Sequence, residues 1–517
     1  MKQIVTCAEM KNIEARIIRD YQVPSLVLME RAALSVTEVI RSRFRREETG
    51  KILVLCGSGN NGGDGFAIAR ILFLEGWNVE ICFLGKEEKM TPECRLQSEI
   101  CQNFHVPRIS FPEELSYDLI VDAIFGIGLT REISGPLKSV IERVNECTAF
   151  KIAVDLPSGI HGDTGVVMGE AISCDVTVTF GLTKAGMCFY PGRRFCGEIL
   201  LREIGILDLK DESSIGAVEM SDLETLPSRL PEGNKGTFGK VLIVGGSPGM
   251  AGAVYLSALA AFHTGVGMVR IHTDEANRLP LQTLLPEAII ETDFSEETCK
   301  KVLKWCDVVV LGPGLSQTQE SLDRFRWYLR NCRISKKQLI LDADGLNLLA
   351  AHPEDQEYLA VNVVCTPHLG EFSRLTRKSI PSLKENLLSE VRTFASSTGC
   401  VLVCKDAATL IADPCCSFDK TFVNLSGNSG MAVAGSGDCL TGILAGVACM
   451  FRQEPLTAKT AVKYPHGYLT AHEAALGVYL HGKAGEFASN EKGMHGVLAS
   501  DIAGSVSLVL KQIPFSS

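Results

Sequence analysis

Residues Gly57 to Gly65 read GSGNNGGDG, directly after the aliphatic run Lys51 to Cys56 and before the helix-compatible run Phe66 to Leu74. In an open α/β sheet, ligands bind beyond the carboxyl ends of the strands, where a glycine-rich turn lets backbone amides at a helix start meet a phosphate. One or two glycines suffice for a tight strand-to-helix turn. Two asparagines and an aspartate inside it point to a ligand, at a spacing that is not GxGxxG. A second strand pattern ends in Asp122 and runs on into Gly126, Ile127, Gly128, Leu129, Thr130 and Arg131, a flexible loop with one cation. A third ends in DLPSG, which sets Asp155 and Ser158 at the same sheet edge. Asn61, Asp122 and Ser158 offer only oxygen ligands, suited to a hard cation rather than to zinc or copper. Singly, each is more often a cap or turn residue; their common edge favours a site.

The second half carries a comparable series. VGGSPGMAGA at Val244 to Ala253, LGPGL at Leu311 to Leu315 and TPHLGE at Thr366 to Glu371 each follow a strand pattern, and KDAAT at Lys405 to Thr409 joins two. His368 reads either as a satisfied turn histidine or as a ligand at that edge. Small residues in the first of these segments permit close approach of backbone to ligand, or tight helix packing. GNSGMAVAGSGDCLTG at Gly427 to Gly442 is the strongest local signal in the chain. Amides of Gly435, Ser436 and Gly437 are expected at the start of a helix beginning near Asp438, forming an anion hole for a transferring phosphoryl group. Asp438 also reads as a plain helix cap, and a helix start is expected to favour its ionised form.

These motifs need strands and helices to carry them. Lys51 to Cys56, Val79 to Leu84, Asp118 to Ile124, Lys151 to Leu156 and Asp175 to Phe180 are short apolar runs separated by helix-like stretches, after a charged, helical segment up to about Phe44. Alternation of this kind predicts a doubly wound parallel sheet. The pattern breaks between Gly205 and Lys235, where Asp211, Ser213, Ser214, Pro227, Pro231 and Gly233 mark a boundary. A second α/β series follows through Lys240 to Val244, Met268 to His272, Asp307 to Leu311, Gln338 to Asp342, Val363 to Thr366, Val401 to Lys405 and Thr409 to Ala412. No fixed period relates the halves, so two different folds are expected to be fused.

Composition agrees with that organisation. A chain of 517 residues exceeds what one core supports, and 46% hydrophobic with 22% charged residues is ordinary for globular domains. A net charge of -10 opposes nonspecific attraction to nucleic acid. The 19 cysteines form no CxxC or zinc spacing and follow no signal peptide, so they read as reduced thiols, adjacent Cys415 and Cys416 included. Ala251 to Val269 and Met431 to Phe451 approach membrane-spanning length, but His263 and Asp438 within them favour buried helices.

NNGGDG, the Asp122 strand end, GIGLTRE and DLPSG together resemble the epimerase domain that acts on hydrated NADH and NADPH, over residues 1–207. That resemblance implies substrate contacts at Asn60, Asn61, Gly62, Gly63 and Asp64, at Gly126 to Glu132, and at Asp155, with potassium near Asn61, Asp122 and Ser158. The epimerised carbon bears a hydroxyl beside a ring nitrogen, so acid or base catalysis by Asp155 is chemically reasonable. Over residues 235–513 the chain resembles the ribokinase-like dehydratase of the same repair chemistry. This implies substrate contacts at Ala253, Gly314, His368 and catalytic Asp438. It also implies nucleotide contacts at Lys405, Asp406, Ala407, Ala408, Thr409 and Gly437, with Mg2+ accompanying ADP. Asn234 stands before Lys235 and Gly236, where many relatives carry histidine.

The whole chain thus resembles the bifunctional NAD(P)H-hydrate repair family, a Rossmann-like and a ribokinase-like domain joined by residues 208–234. Such a chain would interconvert the R and S epimers and dehydrate the S form, phosphorylating its hydroxyl from ADP and eliminating phosphate. Its expected partners are NADHX, NADPHX and ADP, in a cytoplasmic homo-oligomer without nucleic acid or membrane. A rival reading is a vitamin-type kinase of the same scaffold with a noncatalytic N-terminal binding module. Asp155 and the full NNGGDG motif speak against such a module.

Overall fold

The parallel strands expected from short aliphatic runs are present in a computed structural model that describes residues 1–206, 213–414, 421–452 and 467–514. Asp211, Cys415, Cys416 and the first part of the expected 208–234 linker lie outside the described residues. The chain divides into two units, Gln3–Ile215 on one hand and Met1–Lys2 with Gly216–Ser517 on the other.

In the first unit seven strands form a parallel sheet. Ile52–Cys56 is central, paired with Val79–Phe83 on one side and Leu119–Ala123 on the other. Arg108–Ile109 extends the first flank, and Phe150–Val154, Val176–Phe180 and Glu198–Arg202 extend the second. Every residue of Ile52–Cys56 and Leu119–Ala123 is buried, which is why these strands read as unbroken apolar runs. The strand order reverses between these two, so a crevice opens beyond their carboxyl ends.

NNGGDG is not a loop before a helix. The helix begins at Asn60 and runs to Leu74, so the motif forms its first turns, with Gly59 as the cap. A β-carbon at Gly62 would collide with the Gly57 carbonyl, and one at Gly65 would lie 2.6 Å from the Ala123 side chain. These glycines let the helix lie directly on the strand ends, and the Gly63 amide is engaged by the Gly59 carbonyl at 3.1 Å. The charged N-terminal segment folds as Cys7–Asp20 and Ser25–Arg43, the first closed by a Thr6–Glu9 capping box. Met10, Ile13 and Ile17 recur at helical spacing and make its buried face.

The second unit has parallel strands Ile289–Glu291, Met268–His272, Lys240–Val244, Val308–Leu311, Gln338–Leu341, Val363–Cys365 and Val401–Cys404, in that spatial order. Thr409–Ala412 pairs antiparallel with the last of them, and Thr421–Asn424 pairs antiparallel with Thr409–Ala412. The two long apolar stretches fold as Ala251–His263 and Ser436–Arg452, packed closely enough that Ser257 Oγ meets Thr441 Oγ1 at 2.9 Å. Among the described residues no helix is long and apolar enough to cross a membrane.

Candidate active sites

At the carboxyl edge of the first sheet lies a cavity of about 480 Å³. Asn60, Asn61, Asp64, Gly126, Ile127, Gly128, Leu129 and Asp155, all singled out in the sequence, line it. Gly62 and Gly63 do not; they are buried in helix packing, Gly63 against Met29 and Cys94. Thr130, Arg131 and Glu132 are also absent from the lining. The N-terminal helices add Lys11, Glu14 and Met29, and the far wall is closed by Phe180 and Ile204. None of these carried a motif.

Asp155 follows the strand Phe150–Val154 with a left-handed backbone, φ 66°, and its amide is held by the Val178 carbonyl at 2.8 Å. Such a conformation is unfavourable for a residue with a β-carbon and concentrates at functional positions. Lys184 Nζ donates to Asp155 Oδ1 at 2.5 Å, and Thr179 Oγ1 donates to the same oxygen at 3.1 Å. Lys184 was not among the sequence candidates; no motif surrounds it. Asp64 is driven well above the ordinary carboxylate range by burial, reinforced by Asp155 and Glu14 and opposed by Lys184. Burial likewise raises Glu14, against the pull of Lys184.

Asp122 and Ser158 meet beneath this cavity edge. Both are fully buried, Ser158 donates its hydroxyl to Asp122 Oδ1 at 2.6 Å and its amide to Oδ2 at 2.7 Å. Burial pushes Asp122 up to about 6, and the Ser158 and Ile124 hydrogen bonds only partly counter it. Asn61 borders Gly126, whose β-carbon would lie 3.3 Å from its Oδ1, and its buried Nδ2 has no partner among the described residues.

In the second unit three loops converge. Lys405 Nζ donates to Asp342 Oδ1 at 2.7 Å, and a β-carbon at Gly437 would lie 3.3 Å from that Nζ and 3.6 Å from Asp342 Oδ2. Burial works against the Lys405 charge, but Asp342, Glu371 and Asp438 outweigh it and raise its pKa. Asp438 is pushed up to about 7, by burial first and then by Asp342 and Asp344, with Lys405 opposing. Loss of solvent and two like charges thus work against the ionised form that a helix start favours. The helix itself starts at Ser436, so Asp438 sits within its first turn rather than capping it. His481, beneath Ser436 Oγ at 3.3 Å, is lowered to about 4 by burial and by Lys405.

His368 caps the helix Leu369–Thr376, its Nδ1 accepting from the Gly370 amide at 3.0 Å, while its side chain stays 55% exposed. The turn-histidine reading is thus met. Gly314 and Ala253 are neighbours, since a β-carbon on the former would lie 3.2 Å from that of the latter, and the Ser247 amide meets the Gly314 carbonyl at 2.6 Å. Within KDAAT, Ala408 and Thr409 are buried, the Thr409 hydroxyl bonds the Asp406 carbonyl at 3.2 Å, and Ala407 is exposed. Asn234 closes a turn by accepting from the Gly236 amide at 2.8 Å. Asp342 was overlooked, although it directly follows the strand Gln338–Leu341.

Fold and sites define a two-domain α/β enzyme in which a Rossmann-like unit precedes a ribokinase-like unit. Comparison with known proteins narrows this. The family described as NAD(P)H-hydrate dehydratase matches residues 241–507, and that described as YjeF-related protein N-terminus matches residues 25–186. A bifunctional NAD(P)H-hydrate repair enzyme of Moorella thermoacetica is 34% identical over 99% of this chain and 97% of its own length. One of Thermofilum pendens is 33% identical over the same shares. A solved ribokinase-like superfamily protein of Enterococcus faecalis, 26% identical with a TM-score of 0.49, covers 58% of this chain and 96% of its own. The chain belongs to the family of bifunctional NAD(P)H-hydrate repair enzymes, an epimerase domain followed by a dehydratase domain.

Proposed function

We propose that residues 1–207 epimerise R- and S-NAD(P)HX and that residues 235–513 dehydrate S-NAD(P)HX at the expense of ADP, giving NAD(P)H, AMP and phosphate. The carrying observation is that similarity to the bifunctional relatives runs through 99% of the chain, so both catalytic halves are retained. In the second half, Asp438 takes the substrate hydroxyl proton as that oxygen attacks the terminal phosphorus of ADP and AMP departs. Phosphate then leaves the carbon while the neighbouring carbon gives up a proton, which restores the ring double bond. Gly437, with no side chain, leaves room for a phosphoryl group beside Lys405. Mg2+ would neutralise phosphate charge, and it is bound mainly through phosphate oxygens with one or two carboxylates; Asp342 and Asp438 are of the right type.

Potassium fits the first unit. Asn61, Asp122 and Ser158 carry side-chain oxygens, and a buried carboxyl at about 6 gains from an adjacent cation. We assign substrate contacts to the cavity-lining members of the sequence candidates, and nucleotide contacts to Lys405–Thr409 and Gly437. The enzyme is proposed to work in the cytoplasm as a homo-oligomer.

Incubating the purified chain with mixed NADHX epimers tests both halves. Without ADP the epimer ratio should relax with no NADH formed; with ADP and Mg2+ both epimers should be converted to NADH, detected by absorbance. Accumulation of a stable phosphorylated product would instead identify a kinase.

A further inference from the structure

Three carboxyl groups, Glu14, Asp64 and Asp155, reach the first cavity, more than a single base requires. The lysine that serves them, Lys184, is not part of the lining, and its side chain is 1% exposed. Its three ammonium protons have three acceptors, Asp155 Oδ1, Thr179 Oγ1 at 3.0 Å and the Phe180 carbonyl at 3.0 Å. An ammonium so engaged has no proton left to offer a substrate. It can fix a neighbour. Both side-chain hydrogen bonds to Asp155 land on Oδ1, on a residue whose own backbone is left-handed.

We propose that Lys184 is the positioning residue of the epimerising centre, holding Asp155 by one oxygen as the base, while Asp64 is the second catalytic residue and carries the other proton. This rests on the epimerase reading above. The substrate carbon bears a hydroxyl and a ring nitrogen. Asp64 gives its proton to the hydroxyl; the C–O bond breaks with both electrons, water leaves, and the nitrogen lone pair closes a C=N bond. A water then adds to the opposite face, its oxygen forming the new C–O bond while the displaced electron pair returns to nitrogen. The proton released passes to Asp155 and then to Asp64, so nothing is consumed. Burial, Asp155 and Glu14 favour the protonated form of Asp64, which suits it to the role of proton donor.

The groups facing Asp64 are Asp155 and Lys184 from the strand ends, Glu14 from the N-terminal helix and Cys94 from the helix Pro92–Asn103. Lys184 alone pulls its pKa down. Activity that needs protonated Asp64 is lost on the alkaline side, and removing the Lys184 charge should move that limb to higher pH.

The test follows R-NADHX epimerisation by the full chain, with potassium and without ADP, across pH. If the wild-type chain leaves R-NADHX unchanged, the epimerase reading fails before Lys184 is tested. Given wild-type activity, Lys184→Met should lower kcat by roughly 100-fold with little change in KM and shift the alkaline limb upward. Lys184→Arg should return the limb and part of kcat, and Asp64→Asn should abolish the limb with kcat reduced. A folded Lys184→Met with an unmoved limb, or Asp64→Asn at wild-type rate, overturns the proposal. Should Lys184→Met not fold, Thr179→Val removes one acceptor of the ammonium and one donor to Asp155; a fall in kcat at constant KM supports the proposal, and an unchanged kcat overturns it.

Discussion

Asp438 is asked to be a base in surroundings that raise its pKa to about 7. With its pKa near 7, dehydration should rise as pH increases through about 7 and level off above it. Asp438→Asn should remove that limb and slow S-NADHX dehydration by roughly 100-fold to 10,000-fold, the usual range for a lost acid-base group; a near wild-type rate would leave Asp438 without a catalytic role. Stability should move the other way. A folded pKa above the unfolded value of about 3.9 gives a contribution fully present below that value and lost as pH rises through about 7. At pH 8 the variant, which has no charge to bury, should therefore melt at a higher temperature than the wild type by calorimetry. At the other site, Asp122→Ala should weaken the potassium dependence of epimerisation, and an unchanged response to the cation would remove Asp122 from that site. Asp155 and Asp438 could be read from the sequence because each adjoins a run of turn or small residues, LPSG after the first and AGSG before the second. Lys184 and Asp342 could not be paired that way: they find their partners 29 and 63 residues away in the chain, through tertiary packing rather than local pattern.

The helix Asn60–Leu74 shows what a glycine-rich motif does when it is not a loop. Gly62 and Gly65 remove β-carbons where the helix lies on strand ends, and the cavity receives the side chains between and beside them, Asn61 and Asp64. Gly62→Ala should destabilise the first unit by about 1–3 kcal/mol or more, because its new methyl group has backbone rather than a flexible side chain to push against. Gly59→Ala, with nothing within 4 Å of its β-carbon, should cost no more than about 1 kcal/mol, the loss of a glycine cap. Thermal melts followed by epimerase assays compare the two, with dehydratase activity as the internal control; equal tolerance would mean that packing does not explain the motif. The long buried strands were legible because both faces are covered and the apolar run is continuous. Arg108–Ile109 is only two residues long, and Glu198–Arg202 and Ile289–Glu291 have exposed or half-exposed positions, so they lack that signature.

Spontaneous hydration of a nicotinamide ring yields both epimers, so a dehydratase selective for one would strand the other. Joining the two activities on one chain removes that loss without requiring the catalytic centres to touch. Each unit has its own hydrophobic core, one drawing on residues from Val5 to Ile206 and one on residues from Val218 to Ile513. Both exceed the size at which a single core becomes marginal. Fragments divided between about Gly205 and Lys235 should therefore each fold, the first relaxing the R and S ratio without ADP and the second consuming only the S epimer with ADP. Mixed in solution, they should restore conversion of both epimers to NADH, because the product of one is a diffusible substrate of the other. The rate of R consumption in the mixture should then depend on the concentration of the first fragment, while the intact chain holds the two in fixed proportion. Insoluble fragments, or soluble ones that each lose their activity, would show that the units depend on one another for folding.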